Sequence, residues 1–291
     1  MVNYIHYLCT MKFRVFSQLS YEVFSKTTFF FNIQALRSAN QIIHSESLSV
    51  SAGLKLEEFS LKNSEVRFVK MVAEQGVAFT ITYEAEVDVQ YRVVDAASLL
   101  QASSIIDIDT EVLPFIAPSR HCPSDILYNW ANKEFGYLSN EYSKVLAIND
   151  WIFRNITYKT GVSNSSTSAS DTLLQREGVC KDFAHLAIAL CRAIDIPARY
   201  FTGYAWNINP PDFHACFEAY IGGQWVLFDP TKLGTLNAMV KIATGKDATE
   251  IPVASFYGNT NCTYMDIRCE VLGEGFRPFQ QSDDIVALAY E

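Results

Sequence analysis

The spacing of apolar and polar positions divides the chain into two stretches of different period. From Phe13 onward, Phe13, Val15, Leu19, Tyr21 and Val23 alternate with Arg14, Gln18, Ser20 and Glu22, the two-residue period of a half-buried strand. A longer run, Val77, Phe79, Ile81, Tyr83, Ala85, Val87 and Val89, is interleaved with Ala78, Thr80, Thr82, Glu84, Glu86 and Asp88, and predicts an antiparallel strand with one wet face. Val66 and Phe68 precede it, and Glu74, Gln75 and Gly76 supply turn chemistry between the two runs. The region up to about Asp107 is therefore expected to form an antiparallel β-sandwich-like domain. It shows no cluster of titratable or nucleophilic groups, so packing or spacing is favoured over substrate binding as its role. Patterned sequence begins after Met11, which makes residues 1–10 an expected extension and Met11 an alternative start.

Pro114, Pro118 and Pro123 in LPFIAPSRHCPSD then interrupt any continuous helix or central strand. They divide an N-terminal domain, 1–110, from a second domain, 111–291. Beyond them the period lengthens to that of helices. Ser124 is placed to cap a helix through Phe135, and Tyr142, Val145, Leu146, Ile152 and Phe153 give a helical stripe over Glu141 to Asn155. Trp151 reads as core. The polar run Thr160 to Ser170 is expected to be a mobile loop, Asp171 to cap a short helix through Arg176, and Gly178 to stop it. Cys180 then opens a helix whose apolar face is Phe183, Leu186, Ala187, Leu190 and Ile194, ended by Pro197. Strands are expected at Ala198 to Trp206, Phe213 to Ile221 and Gln224 to Asp229, the last two joined by Gly222 and Gly223, a two-residue hairpin signal.

Composition narrows the classes of function. A 49% hydrophobic content argues for well-formed cores, and a formal charge of -9 without a Lys/Arg stripe sets aside capture of nucleic acid or anionic lipid. No run reaches the roughly eighteen apolar residues that cross a bilayer, so no membrane partner is expected. The seven cysteines are scattered and odd in number, as reduced thiols of a cytoplasmic protein would be. None forms a C-x-x-C pair and the five histidines do not fall at zinc-finger spacing; neither metal nor cofactor is expected.

The candidate chemistry centres on Cys180. A thiol at a helix start faces unpaired backbone N–H groups and the positive end of the helix dipole, which favours the nucleophilic thiolate, and the same N–H groups can hold an oxyanion. Counting outward from the Gly-Gly loop places Cys216 opposite Asp229 and His214 opposite Thr231. His214 and Asp229 then share a face as diagonal neighbours, about 7–8 Å apart. Cys180 as nucleophile, His214 as general base and acid, and Asp229 as the group that holds its tautomer make a triad. Cys191 reads as structural, and the adjacent His121 and Cys122 are set aside because neighbouring side chains usually diverge.

At these residues the sequence resembles the transglutaminase-like superfamily, through LPFIAPSRHCPSD, WIFRNITY, GVCKDFAHLAIALCRAIDIPARYFTGY, DFHACFEAYIGGQWVLFDPT and KIATGKDA, the last taken as a family loop. Within it, the pattern is similar to bacterial transglutaminase-like candidate cysteine proteases with an N-terminal β domain. The resemblance implies an α+β fold with a papain-like core, its catalytic helix packed on an antiparallel sheet. It also implies Cys180, His214 and Asp229 as catalytic residues, and acyl transfer from a peptide or protein amide through a thioester. The Cys180 backbone N–H is the expected first oxyanion donor and Tyr158 a candidate second; Asp182 either assists the site or complements the helix dipole. Lys181 stands where animal transglutaminases carry tryptophan, so hydrolysis is favoured over amine transfer. The alternatives are an amine-accepting transglutaminase and a non-catalytic peptide-binding protein of the same fold.

Overall fold

The computed structural model describes residues 7–61, 64–100, 109–273, 275–279 and 286–290. The alternating N-terminal runs form long strands: β1 (Tyr7–Val23) and β6 (Ala78–Asp95) pair antiparallel from Tyr7 opposite Val93 to Glu22 opposite Ala78. The pairing begins at Tyr7, ahead of the expected start at Met11, because β6 runs on to Asp95 and offers backbone partners to residues 7–10. Residues 1–6, and the expected boundary near Asp107, lie outside the described residues.

Between these strands lie β2 (Thr27–Phe31), β3 (Gln41–Val50), β4 (Glu57–Ser60) and β5 (Arg67–Ala73). β2, β4 and β5 join a small sheet over an aromatic core in which Tyr21, Phe29, Phe31 and Phe79 meet at ring-centre distances of 5.0–5.7 Å. The short helix α1 (Ala96–Leu100) follows β6.

The second part opens with a 3-10 turn at Leu113–Phe115 and two helices, α2 (Ser124–Phe135) and α3 (Glu141–Asn155), over the extents expected from periodicity. Ser124, expected as the cap of α2, is instead its buried first helical residue: Pro123, at φ -75°, holds the cap position with no side-chain cap bond. Asn140 caps α3 by accepting from the Ser143 N–H at 2.8 Å. Two-residue strands β7 (Thr157–Tyr158) and β8 (Glu177–Gly178) pair in parallel and flank α4 (Ala169–Gln175). The α4 cap is Ser168 rather than Asp171. Asp171 is the third helical residue of a capping box, its carboxylate accepting from the Ser168 N–H at 2.8 Å. Arg176, at φ 61°, ends α4 in the left-handed conformation, two residues before the expected stop at Gly178.

The expected apolar helix is α5 (Cys180–Ala193), buried on every side from Asp182 to Ala193. It packs against α2, α3 and α4 on one side and against β9 (Ala198–Ala205) and β10 (His214–Ile221) on the other, which is why its apolar character exceeds a single stripe. Each fully buried Leu, Ile or Phe there contributes about 1.5–3 kcal/mol. The Gly222-Gly223 turn, with both φ positive, joins β10 to β11 (Gln224–Phe228) in the expected register, Ile221 opposite Gln224 and Phe217 opposite Phe228.

β12 (Met239–Gly245) pairs with β9, so Lys241–Gly245 is strand and not the loop expected of KIATGKDA. Its backbone is clasped from the N-terminal part: Gln41 donates to the Lys241 carbonyl at 2.8 Å and accepts from the Lys241 N–H at 2.8 Å.

The chain then returns to its beginning. β13 (Ala254–Tyr257) pairs with β2, and β14 (Thr260–Leu272) pairs with β1. β15 (Val286–Ala289) lies between β11 and β6, making one nine-stranded sheet in the order β12-β9-β10-β11-β15-β6-β1-β14, with β3 also on β6. The two parts meet at stacked Tyr83 and Tyr204, whose ring centres are 6.5 Å apart; the Tyr204 hydroxyl donates to Ser17 at 2.9 Å. The fold is thus α+β: an antiparallel β region and a core whose helices pack on a sheet. Among the described residues no helix is long and apolar enough to cross a membrane.

Candidate active site

Cys180 is the first residue of α5, and its neighbours are held by backbone geometry. The Asp182 carboxylate folds back to accept from the Val179 N–H at 2.9 Å, and Phe183 N–H donates to the Val179 carbonyl at 3.1 Å. A side chain at Gly178 would lie 2.7 Å from the Asp182 Cβ, so this close turn requires glycine. On the other flank, Lys159 N–H donates to the Gly178 carbonyl at 2.8 Å.

The polar run before α4 is tied to this helix start. Ser163 donates to Asp182 at 2.8 Å, and the Lys181 ammonium donates to Asp182 at 2.8 Å and to the Asn164 carbonyl at 3.0 Å. The segment expected to be a mobile loop is therefore cross-linked to the two residues that follow Cys180, because its polar side chains find buried or half-buried partners.

His214 begins β10. Its Nε2 lies 2.8 Å from Asp229 Oδ2, the pair expected from the hairpin register. Asp229 is buried and accepts three further bonds: from the Thr231 N–H at 2.9 Å and hydroxyl at 2.7 Å on Oδ1, and from the Gly234 N–H at 2.8 Å on Oδ2. Burial opposes its charge, but His214 and these donors hold the carboxyl below its ordinary range. Burial likewise opposes charge on His214, yet Asp229, the Cys216 thiol and a hydrogen bond with Cys180 raise the imidazole well above its ordinary value.

Thr231 and Gly234 were missed in the sequence reading. The Asp-Pro-Thr spacing signals an aspartate that bonds two residues onward; nothing local signals Gly234, where a side chain would come 3.0 Å from Asp229 Oδ2 and 3.1 Å from the His214 ring.

Cys180 Sγ lies 4.0 Å from the Phe213 carbonyl, beside His214, and both residues line a cavity of about 610 Å³. Asp212 lines it too; burial pushes its carboxyl up, against the Phe213 N–H, which donates to it at 2.7 Å. His121, set aside in the sequence, also lines the cavity. It stacks on His185 at 4.9 Å, its Nδ1 is 3.1 Å from the Thr167 carbonyl, and burial lowers both imidazoles. Tyr158, by contrast, is 38% exposed. Burial and Cys180 push its phenol up to about 12, and its hydroxyl faces the Cys180 backbone N–H.

Cys122 and Cys216 are buried and raised to about 12, Cys191 is raised by burial as well, and all seven cysteines are free. The ligand atoms of His214, Cys216 and Asp229 lie within 4.8 Å of one another. Three donors other than His214 already occupy Asp229 and the Cys216 thiol holds its proton firmly, so this set is poorly suited to a metal ion.

Residues 128–230 match the transglutaminase-like superfamily, a span that takes in Cys180, His214 and Asp229, and residues 11–111 match the bacterial transglutaminase N-terminal domain. A candidate cysteine protease from Cytophaga hutchinsonii is 50% identical in sequence; the match covers 99% of this chain and 100% of that one, with a TM-score of 0.95. The uncharacterized protein ML0607 of Mycobacterium leprae is 28% identical over 59% of this chain and 64% of its own length. The uncharacterized protein Rv2569c of Mycobacterium tuberculosis is 30% identical over 42% and 44%. The chain thus spans less than two thirds of the length of these mycobacterial relatives. With both segments matched in order, and with one solved relative aligned end to end, the chain belongs to the transglutaminase-like superfamily and carries its bacterial N-terminal domain.

Proposed function

We propose that this protein is a cysteine-dependent amide hydrolase acting on peptide or protein substrates. The observation that carries the reading is a single cavity lined by Cys180 and His214, with His214 bound at 2.8 Å to a buried Asp229. With Nε2 engaged by Asp229, Nδ1 is the nitrogen left to exchange a proton with the Cys180 thiol. The thiolate attacks the amide carbonyl carbon; the tetrahedral intermediate collapses as imidazolium protonates the departing amine, leaving a thioester on Cys180. Water, giving its proton back to His214, then attacks the thioester and releases the acid and the free thiol.

Asp229 supports the cationic imidazole in both halves of the cycle. The Cys180 backbone N–H and the Tyr158 hydroxyl facing it are the groups assigned to the oxyanion. Lys181 bears on the choice of acceptor: it stands where animal transglutaminases carry tryptophan, its ammonium held by Asp182 and the Asn164 carbonyl, and water is the favoured acceptor.

An electrophilic amide-substrate probe tests the reading. Labelling should be lost in Cys180→Ala and strongly reduced in His214→Ala, and product acid should form without an added amine. Labelling that persists in Cys180→Ala sinks the assignment; product that forms only with an added amine replaces hydrolysis by amine transfer.

A further inference from the structure

The cavity that holds Cys180 and His214 is not built from the core alone. Leu19 and Tyr21 of β1, Tyr257 of β13, and Cys262 and Met265 of β14 line it, all from strands that pair within the N-terminal β region. The two sides differ in chemistry. The core side carries Lys181, Asp212 and three histidines, whereas every lining residue contributed by β1, β13 and β14 is uncharged.

The wall has a floor and a rim. Leu19 and Tyr21 are 3% and 4% exposed, fixed in the aromatic core, while Tyr257 and Met265 keep 70% and 43% of their surface open. Exposed apolar surface gathered at the mouth of one cavity, unlike single scattered side chains, marks a binding groove.

The strand register supports this arrangement. Leu19 faces Met265, but the ladder shifts between Ser20 and Tyr21, so that Tyr21 faces Cys262 instead of Thr263. That bulge gives the cavity side a thiol where an unbroken ladder would place a threonine hydroxyl, keeping the wall apolar. Bulges beside functional sites commonly re-aim side chains in this way.

We propose that the N-terminal β region completes the substrate site, its Leu19, Tyr21, Tyr257 and Met265 receiving a large aliphatic or aromatic side chain of the polypeptide whose amide lies at Cys180. The proposal rests on the reading of Cys180 as the reactive thiol. The cavity of about 610 Å³ is large enough to hold such a side chain together with the adjoining backbone. The apolar residue anchors the polypeptide against the β wall, and the polar side of the cavity is left to the amide. This gives the N-terminal region a role in specificity where its sequence shows no reactive group.

Binding to the full-length Cys180→Ala protein separates this proposal from catalysis. Acetylated hexapeptide amides carry phenylalanine, leucine, glycine or glutamate at one position in an otherwise alanine sequence, and their affinities are measured by calorimetry or anisotropy. Phenylalanine and leucine peptides are expected to bind at least about ten-fold more tightly than glycine or glutamate ones, the discrimination a hydrophobic pocket supplies. Tyr257→Ser and Met265→Ser should each erase most of that preference, while the exposed and distant Tyr137→Ser keeps it. The wall variants should melt within a few degrees of the parent, because Tyr257 is largely exposed and Met265 nearly half so.

Equal binding of all four peptides, or a preference untouched by both wall variants, overturns the proposal. An apolar preference that vanishes in the wall variants, alongside wild-type protein that hydrolyses no peptide, upholds the wall and removes the hydrolase reading.

Discussion

Two buried ion pairs hang from strand β10, at His214 and Glu218, and they differ in what lies beyond them. Glu218 is closed in on all sides. It faces Arg199 across the β9–β10 ladder, with 2.5 Å between charged atoms; the Arg199 guanidinium lies over the Trp225 ring at 4.1 Å, and the Lys241 ammonium is 3.6 Å from the second carboxylate oxygen. His214 is equally buried and equally well paired, through Asp229, but it also lines the cavity beside Cys180. A buried ion pair by itself is therefore no mark of a site, since desolvation offsets much of its attraction and many such pairs only fix a structure. What separates the two is a titratable ring, one nitrogen engaged by Asp229, on the wall of a cavity that also holds a thiol, against a guanidinium that never gives up its proton.

The largest effect should come from Asp229→Asn. On the proposed hydrolase reading, loss of the carboxylate should lower kcat by about 10²–10⁴-fold, as loss of the aspartate does in known catalytic triads. It should also move the alkaline limb of the pH–rate profile. The His214 imidazole is raised above its ordinary value, so its charged form persists as pH climbs through about 6.5 and is lost only at the higher, folded value. Without Asp229 that support disappears, and the limb should shift to lower pH. An unmoved limb would show that Asp229 does not set the charge on His214.

Glu218→Ala should instead act on stability. Removing the buried carboxylate that Arg199 and Lys241 share costs about 3–5 kcal/mol, read as a lower denaturant midpoint, while kcat per folded molecule should stay within about two-fold. If activity fell as steeply as stability, the two pairs would not be separable in the way described.

A smaller effect is expected from Gly234→Ala. The new methyl group would press on Asp229 Oδ2, the His214 ring and the Met239 Cε, and should lower kcat by about ten-fold with a modest loss of stability. Wild-type turnover in this variant would mean the loop yields without disturbing the pair.

The smallest effect concerns a half-buried cluster in the N-terminal part. Glu46 accepts from Arg67 at 2.8 and 3.0 Å and from the Tyr83 hydroxyl at 2.9 Å, and also pairs with Arg37. Burial opposes its charge, but these donors together hold it down at about 2. A depressed carboxylate stabilises the fold above its ordinary value of 4.5, and that contribution is lost as pH falls toward about 2. Glu46→Gln should cost about 1–2 kcal/mol at neutral pH and flatten the stability curve across that acid window, as thermal melts at pH 2–5 would show.

Legibility in the sequence followed the range of the interaction. α2 and α3 have the extents expected from their periodicity, which acts within a few residues, although the cap of α2 falls on Pro123 and not on Ser124. The His214–Asp229 pair could be found because Gly222 and Gly223 set the register of a hairpin only a few residues away. Partners at long range left no local trace. Phe13 pairs with Val271 and Phe31 with Ala254, so nothing near either strand announces that β1, β13 and β14 share a cavity with Cys180. The cap of α4 was misplaced by local ambiguity, since Ser168 and Asp171 are both good capping residues and only the folded box shows their roles. Asp212 and His121 escaped for a different reason: each is an ordinary polar residue in a proline-bearing loop until the fold places it on the cavity wall.

Strand β15 has a consequence for how the molecule is made. Among the described strands it alone bridges β11 to β6, and it comes after the others of the sheet in the sequence. On a ribosome, β1 and β6 can pair early, and β9, β10 and β11 can pair once α5 has emerged. The seam between them must stay open until residues 286–289 leave the exit tunnel. Until then the β6 edge at Val93–Asp95 and the β11 edge at Leu227 still await their partner strand and are open to other nascent chains. A sheet sewn shut by its last strand should therefore fold slowly for its size, with closure of the seam as its late step.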